Sequence, residues 1–129
     1  MTGEGCATVL VVDDDPRNRK LLEILVQAEG HTVRSVDSGA AALAAIAEGA
    51  PGLVLLDVMM PGMDGFDVLR RLKADPLLSA IPVVMVTALD DDAARARLHA
   101  AAASRVITKP VDRWELQACL REFLGEGRG

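Results

Sequence analysis

Short, wholly apolar runs alternate along the chain with longer stretches whose apolar residues recur at helical spacing. Thr8–Val12 (TVLVV) reads as a buried strand and stops at three acids, Asp13, Asp14 and Asp15. Asp15-Pro16 has the form of a helix start, with a side-chain acceptor at the cap and proline in the first turn. Leu21, Ile24, Leu25 and Ala28 then recur at i, i+3, i+4 and i+7 as far as Gly30, which predicts the buried stripe of a first helix. Thr32–Val36 predicts a second strand. Ser38 opens an Ala-rich helix with Leu43, Ile46 and Ala47 on one stripe, closed by Gly49-Ala50-Pro51-Gly52. Residues 53–56 (LVLL) form a third apolar run, which stops at Asp57. A Pro/Gly-rich loop over 59–65 leads into a helix with Phe66, Leu69 and Leu72 on one face, ended by Pro76. Residues 81–86 (IPVVMV) are the fourth run and end at Thr87, and Asp90-Asp91-Asp92 head a helix predicted over 90–103. Arg105–Thr108 runs as a fifth strand into Lys109-Pro110, and Asp112 caps a last helix carrying Leu116, Leu120 and Phe123.

That is five repeats of strand then helix. Strands apolar on both faces and joined by helices predict an α/β fold, a parallel five-stranded sheet covered on both sides. Right-handed crossovers make it a doubly wound, three-layer (βα)5 sandwich. At 129 residues the chain is read as one domain, residues 1–129, with its core over 8–124 and frayed ends at 1–7 and 125–129. Half of the residues are apolar, yet only two Phe and one Trp are aromatic, so the core is built from Val, Ile, Leu and Ala. With 14 Lys plus Arg against 19 Asp plus Glu, the net charge of −5 argues against nucleic acid or an anionic membrane as partner. No window approaches the roughly 18 apolar residues of a membrane span, and the first eight residues lack a signal-peptide pattern. Cys6 and Cys119 form neither a disulfide framework nor a metal pattern, which points to a reducing cytoplasm.

In a doubly wound sheet, ligands sit outside the carboxyl ends of the strands. Asp13 and Asp14 end the first strand, Asp57 the third, Thr87 the fourth and Lys109 the fifth. Three clustered carboxylates raise one another's pKa unless a cation neutralises them. Oxygen-only ligands of this kind suit Mg²⁺. Lys109 offers a point charge to a phosphoryl group and Thr87 a hydrogen bond to one of its oxygens. Together they describe phosphoryl transfer to an aspartate nucleophile.

On these residues the chain resembles the receiver domains of bacterial two-component response regulators, the family of the chemotaxis response regulator. VLVVDDDP matches the acidic-pair strand, LLDVMMPGMDGFDVL the phospho-acceptor strand and loop, PVVMVTA the threonine strand and ITKP the lysine strand. The likeness covers residues 9–124, and the stretch over 55–88 is most similar to receivers that precede diguanylate cyclase modules. It implies a flavodoxin-like strand order of 2-1-3-4-5. It also implies that Asp57 is the phosphorylated residue. Asp14, Asp57 and the Met59 carbonyl would bind Mg²⁺ directly, Asp13 would help through water, and Thr87 and Lys109 would bind the phosphoryl group. The implied donor is a histidine kinase or phosphotransfer protein, and the implied role is regulatory rather than that of an enzyme. Met59 and Leu89 flank the path of an attacking water and cannot orient it, which predicts slow hydrolysis.

Two positions depart from the family pattern. Val106 stands where a tyrosine or phenylalanine is usual, and Ala102-Ala103 replaces the usual Gly-Ala before the fifth strand. The output surface expected is the face of the 90–103 helix, the fifth strand and the last helix, with Trp114 at its edge. Trp114 either points outward or folds back over Pro110 and Val111. A phosphorylation-dependent homodimer stays open, as does the choice between a stand-alone protein and a module of a larger regulator. Asp15 reads as a helix cap, Cys119 as a small buried hydrophobe, and His31, His99, Lys20, Lys73 and the arginines as solvated surface. Two other functions compete. One is a phosphatase of the haloacid-dehalogenase type using Asp13, and the other is a scaffold that binds partners without phosphorylation.

Overall fold

In the computed structural model of the protein, residues 8–88, 96 and 103–125 are described. The element order is β1 (Thr8–Val12), α1 (Pro16–Ala28), β2 (Thr32–Val36), α2 (Gly39–Glu48), β3 (Leu53–Asp57), α3 (Gly65–Ala74), β4 (Val83–Thr87), β5 (Arg105–Thr108) and α4 (Arg113–Leu124). All strand pairings are parallel, in the order β2-β1-β3-β4-β5. Apart from residues 96 and 103, the helix expected over 90–103, with His99 on it, lies outside the described residues, as do Cys6 and Leu89.

Strand residues alternate between the two sides of the sheet. Leu10, Val12, Val54, Leu56, Val83 and Met85 therefore pack with α2 and α3 on one side. Val9, Val11, Leu53, Leu55, Val84, Val86 and Ile107 pack with α1 and α4 on the other. The central strands β3 and β4 are buried along their full length, whereas the edge strands β2 and β5 are partly open. Cys119 is fully buried in α4 beside Leu116 and Leu120, as read from the sequence, and Phe123 is half-buried.

Several expectations need correction. In α1 the buried residues are Leu22 and Val26, with Leu25 partly buried, while Leu21 and Ile24 are 42% and 52% exposed. Residues 21–26 (LLEILV) are apolar around most of a turn, so spacing alone leaves the phase of the stripe open by one residue. In α2 Ala42 and Ile46 are buried, Leu43 is half-buried and Ala47 is exposed. Strand β4 starts at Val83 rather than 81. The Ile81 amide closes a turn onto the Leu78 carbonyl, and Pro82 has no amide to add to the ladder, though its carbonyl accepts from Val54. His31 is buried, not solvated, and burial lowers its pKa while the charge of Glu29 partly restores it. Arg34 and Lys73 are also less solvated than expected. Arg34 donates to the carbonyls of Ala45 and Gly49 at the end of α2, and Lys73 to that of Ser79. No helix among the described residues is long and apolar enough to cross a membrane.

Candidate functional site

The parallel register brings the acids together without any long-range coincidence of loops. Val12 pairs with Leu56, so Asp13 follows β1 at the level where Asp57 ends β3. Asp57 pairs with Val86 and Thr87 with Thr108, so Thr87 and Lys109 close the same edge on β4 and β5. The Lys109 amide donates to the Thr87 carbonyl at 2.7 Å, and the Lys109–Pro110 peptide is cis.

Ligand oxygens of Asp13, Asp14 and Asp57 all lie within 4.8 Å of one another. Asp13, Asp57 and Thr87 are buried and Asp14 is exposed, so the cluster opens to solvent on the Asp14 side. Lys109 Nζ lies 3.3 Å from Asp13 Oδ2 and 3.3 Å from Asp57 Oδ1. The Met59 amide donates to Asp57 Oδ1 at 3.2 Å. Burial, reinforced by the charge of Asp13, pushes the Asp57 carboxyl up to about 6, and Lys109 and the Met59 amide only partly oppose it. A single ammonium therefore does not balance three carboxylates. The compact all-oxygen donor set fits a hard divalent cation such as Mg²⁺.

Each site residue is fixed by its local fold. Asp13 Oδ1 accepts from the Asp15 amide at 2.8 Å, and the Asp15 side chain accepts from the Arg17 amide as the cap of α1. Arg19 donates to the Asp13 carbonyl at 2.9 Å, a role the sequence reading missed by treating it as solvated. The available signal was its place in the first turn of α1, since helical side chains lean back toward the N-terminus. Behind Asp57, Gly65 begins α3 with its amide bonded to the Val58 carbonyl. A Cβ on Gly65 would stand 2.6 Å from the Asp57 carbonyl oxygen, so only glycine fits there. Asp64 and Asp67 form a reciprocal capping box that starts this helix. Val106, at the position of the expected aromatic, packs half-buried on the α2/α3 side of the core. Trp114 is 66% exposed, with the Arg113 guanidinium 5.3 Å from its ring centroid.

A family model for the response regulator receiver domain matches residues 9–121. The chain belongs to this family. It is 48% identical over 117 residues to the response regulator PleD of Caulobacter vibrioides, a match covering 91% of this chain and 26% of PleD. It is 36% identical over 106 residues to protein PilH of Pseudomonas aeruginosa, covering 82% and 88% of the two chains. The receiver domain of the sensor histidine kinase PA1611 of Pseudomonas aeruginosa, solved with a magnesium ion coordinated in its active site cleft, matches at a TM-score of 0.85. That match is 26% identical and covers 92% of this chain and 98% of the other. The receiver described here thus spans about a quarter of PleD. Receivers of this family are the phospho-accepting, regulatory modules of two-component response regulators, and the dehalogenase-type phosphatase and the phosphorylation-independent scaffold find no support.

Proposed function

We propose that this receiver accepts a phosphoryl group on Asp57 from the phosphohistidine of a histidine kinase or phosphotransfer protein. The observation that carries the reading is the Lys109 ammonium, 3.3 Å from both Asp13 and Asp57 inside a cluster of three carboxylates. Mg²⁺ would be held by Asp14, Asp57 and the Met59 carbonyl, with Asp13 acting through water, and when bound it neutralises charge on the transferring oxygens. An Asp57 carboxylate oxygen attacks phosphorus, the P–N bond breaks, and its electron pair returns to the donor imidazole. A carboxyl pushed up to about 6 is still ionised at neutral pH and so available as the nucleophile. Lys109 and Thr87 donate to phosphoryl oxygens, and Asp13 keeps Lys109 in place through its 3.3 Å contact.

Residues 8–124 act as the folded unit in this reading, and the setting is the cytoplasm. The output partner binds at β5, α4 and the 90–103 segment, where the exposed Trp114 supplies apolar area. A homodimer formed on phosphorylation would use the same face.

The test is intact-mass analysis after incubation with acetyl phosphate and Mg²⁺. One phosphoryl group should be added, and none should be added in Asp57→Asn or in the presence of EDTA. A gain that persists in Asp57→Asn would remove Asp57 as the acceptor.

A further inference from the structure

The loop after β3 carries three thioethers within five residues, Met59, Met60 and Met63. Their environments differ sharply. Met59 is 59% exposed, Met60 is 7% exposed, Met63 is half-buried against the core, and Met85 in β4 is fully buried. Among the described residues Met59 is therefore the sulfur most open to a solvent-borne oxidant. Cys119 does not compete for it, because its buried thiol is pushed up to about 11 and carries almost no thiolate at neutral pH.

Met59 also has an intimate connection to the acceptor. Its amide nitrogen lies 3.2 Å from Asp57 Oδ1, so its side chain leaves the backbone within one bond of a group that touches the acceptor carboxylate. Together with Met60, Pro61 and Asp64 it lines an open cleft along the loop.

We propose that Met59 is an oxidation site, and that its sulfoxide shortens the life of the phosphorylated receiver. The inference rests on Asp57 being the acceptor. A hydroperoxide delivers one oxygen to Met59 Sδ. The O–O bond breaks, sulfur is oxidised by two electrons, and the peroxide leaves as water or an alcohol. The thioether is a weak acceptor that keeps water out, whereas the sulfoxide oxygen is polar and accepts strongly. A water bonded to that oxygen is held beside the aspartyl phosphate. Its oxygen attacks phosphorus, the P–O bond to Asp57 breaks, and the electron pair returns to the carboxylate while the proton passes to solvent. Peroxide thereby resets the switch without touching the kinase.

The experiment treats the full chain with hydrogen peroxide and follows sulfoxide formation by peptide mass mapping. Treated and untreated protein are then phosphorylated with acetyl phosphate and Mg²⁺, freed of excess donor, and followed by intact mass. Met59 should gain its oxygen before Met60, Met63 and Met85. The phosphorylated half-life should fall about tenfold, the worth of one hydrogen bond made in the transition state. Met59→Gln, a permanent polar acceptor, should decay fast without peroxide, and the half-life of Met59→Leu should be the same with and without it. Oxidation of Met60 or Met63 ahead of Met59 overturns the proposal, as does uptake followed by equal decay in treated and untreated protein. Absence of uptake by the untreated protein overturns the acceptor assignment as well.

Discussion

Asp57 at the carboxyl end of β3 and His31 just before β2 are both almost fully buried, at 3% and 4% exposure, and burial drives both toward their neutral forms. Their surroundings make the outcomes differ. Around His31 the nearby charge is Glu29, and the imidazole needs only to lose a proton to become neutral, which costs little near pH 7. Around Asp57 two more carboxylates crowd within 4.8 Å and one lysine answers them, so neutral pH leaves the site charged and under-compensated. Burial of His31 is thus met by loss of a proton, whereas the carboxyl end of the sheet stores an unfavourable negative charge that a cation can relieve.

Backbone substitutions give the largest contrast between the two ends. In Gly65→Ala the new Cβ meets the Asp57 carbonyl at 2.6 Å and the Val58 Cα at 2.8 Å, and backbone has to move. We expect a loss of about 2–4 kcal/mol in urea unfolding, whereas Gly49→Ala at the far end of α2 meets nothing within 4 Å and should change stability by less than about 0.5 kcal/mol. Equal effects of the two substitutions would remove the asymmetry. The next effect is electrostatic. Because the Asp57 pKa is raised from 3.8 to about 6 on folding, the native state loses stability as pH rises through that window. Metal-free Asp57→Asn should therefore be about 1–3 kcal/mol more stable than the native protein above pH 6, and the two should converge below pH 4. A destabilised Asp57→Asn at pH 7.5 would show that the site is already balanced. The smallest effect belongs to His31. Its pKa is lowered on folding, so its contribution is complete above its unfolded value of 6.5 and is lost as pH falls below it. His31→Gln should flatten the stability–pH profile between pH 7 and 5, by less than about 1.4 kcal/mol per pH unit, the limit for one proton. An unchanged slope would mean that His31 titrates alike in both states.

Much of this arrangement is legible from residue type and spacing. Asp13, Asp57 and Thr87 each follow an apolar run directly, Lys109 follows the last residue of the short fifth strand, and a parallel sheet carries such residues to one edge whatever the loops do. The caps Asp15, Ser38 and Asp112 were equally readable, since each side chain accepts from amides of the turn it starts. What escaped depends on which side of a helix faces the sheet. Leu21 and Leu22 are identical as sequence, and packing alone exposes one and buries the other. His31 escaped for a related reason, because a turn residue between Gly30 and Thr32 gives no periodicity from which burial could be inferred. Arg19 belongs to the same class, as its bond to the Asp13 carbonyl exists only once α1 has been seated on the strand end.

The loop between β3 and α3 is anchored like an arch. At one foot Gly65 lies against the backbone of Asp57, and along its inner flank the Met63 carbonyl lies 2.9 Å from where a Cβ of Gly39 would be. At the crown, Gly62 has a left-handed backbone, φ 76°, with open space around it. For protein engineering the arch is a mounting point. Gly62 stays glycine, because a side chain on its left-handed backbone is strained, and a small reporter dye on a Cys replacing the exposed Pro61 would project into solvent. A label there sits four residues from Asp57, on a loop whose Met60 and Met63 pack into the core.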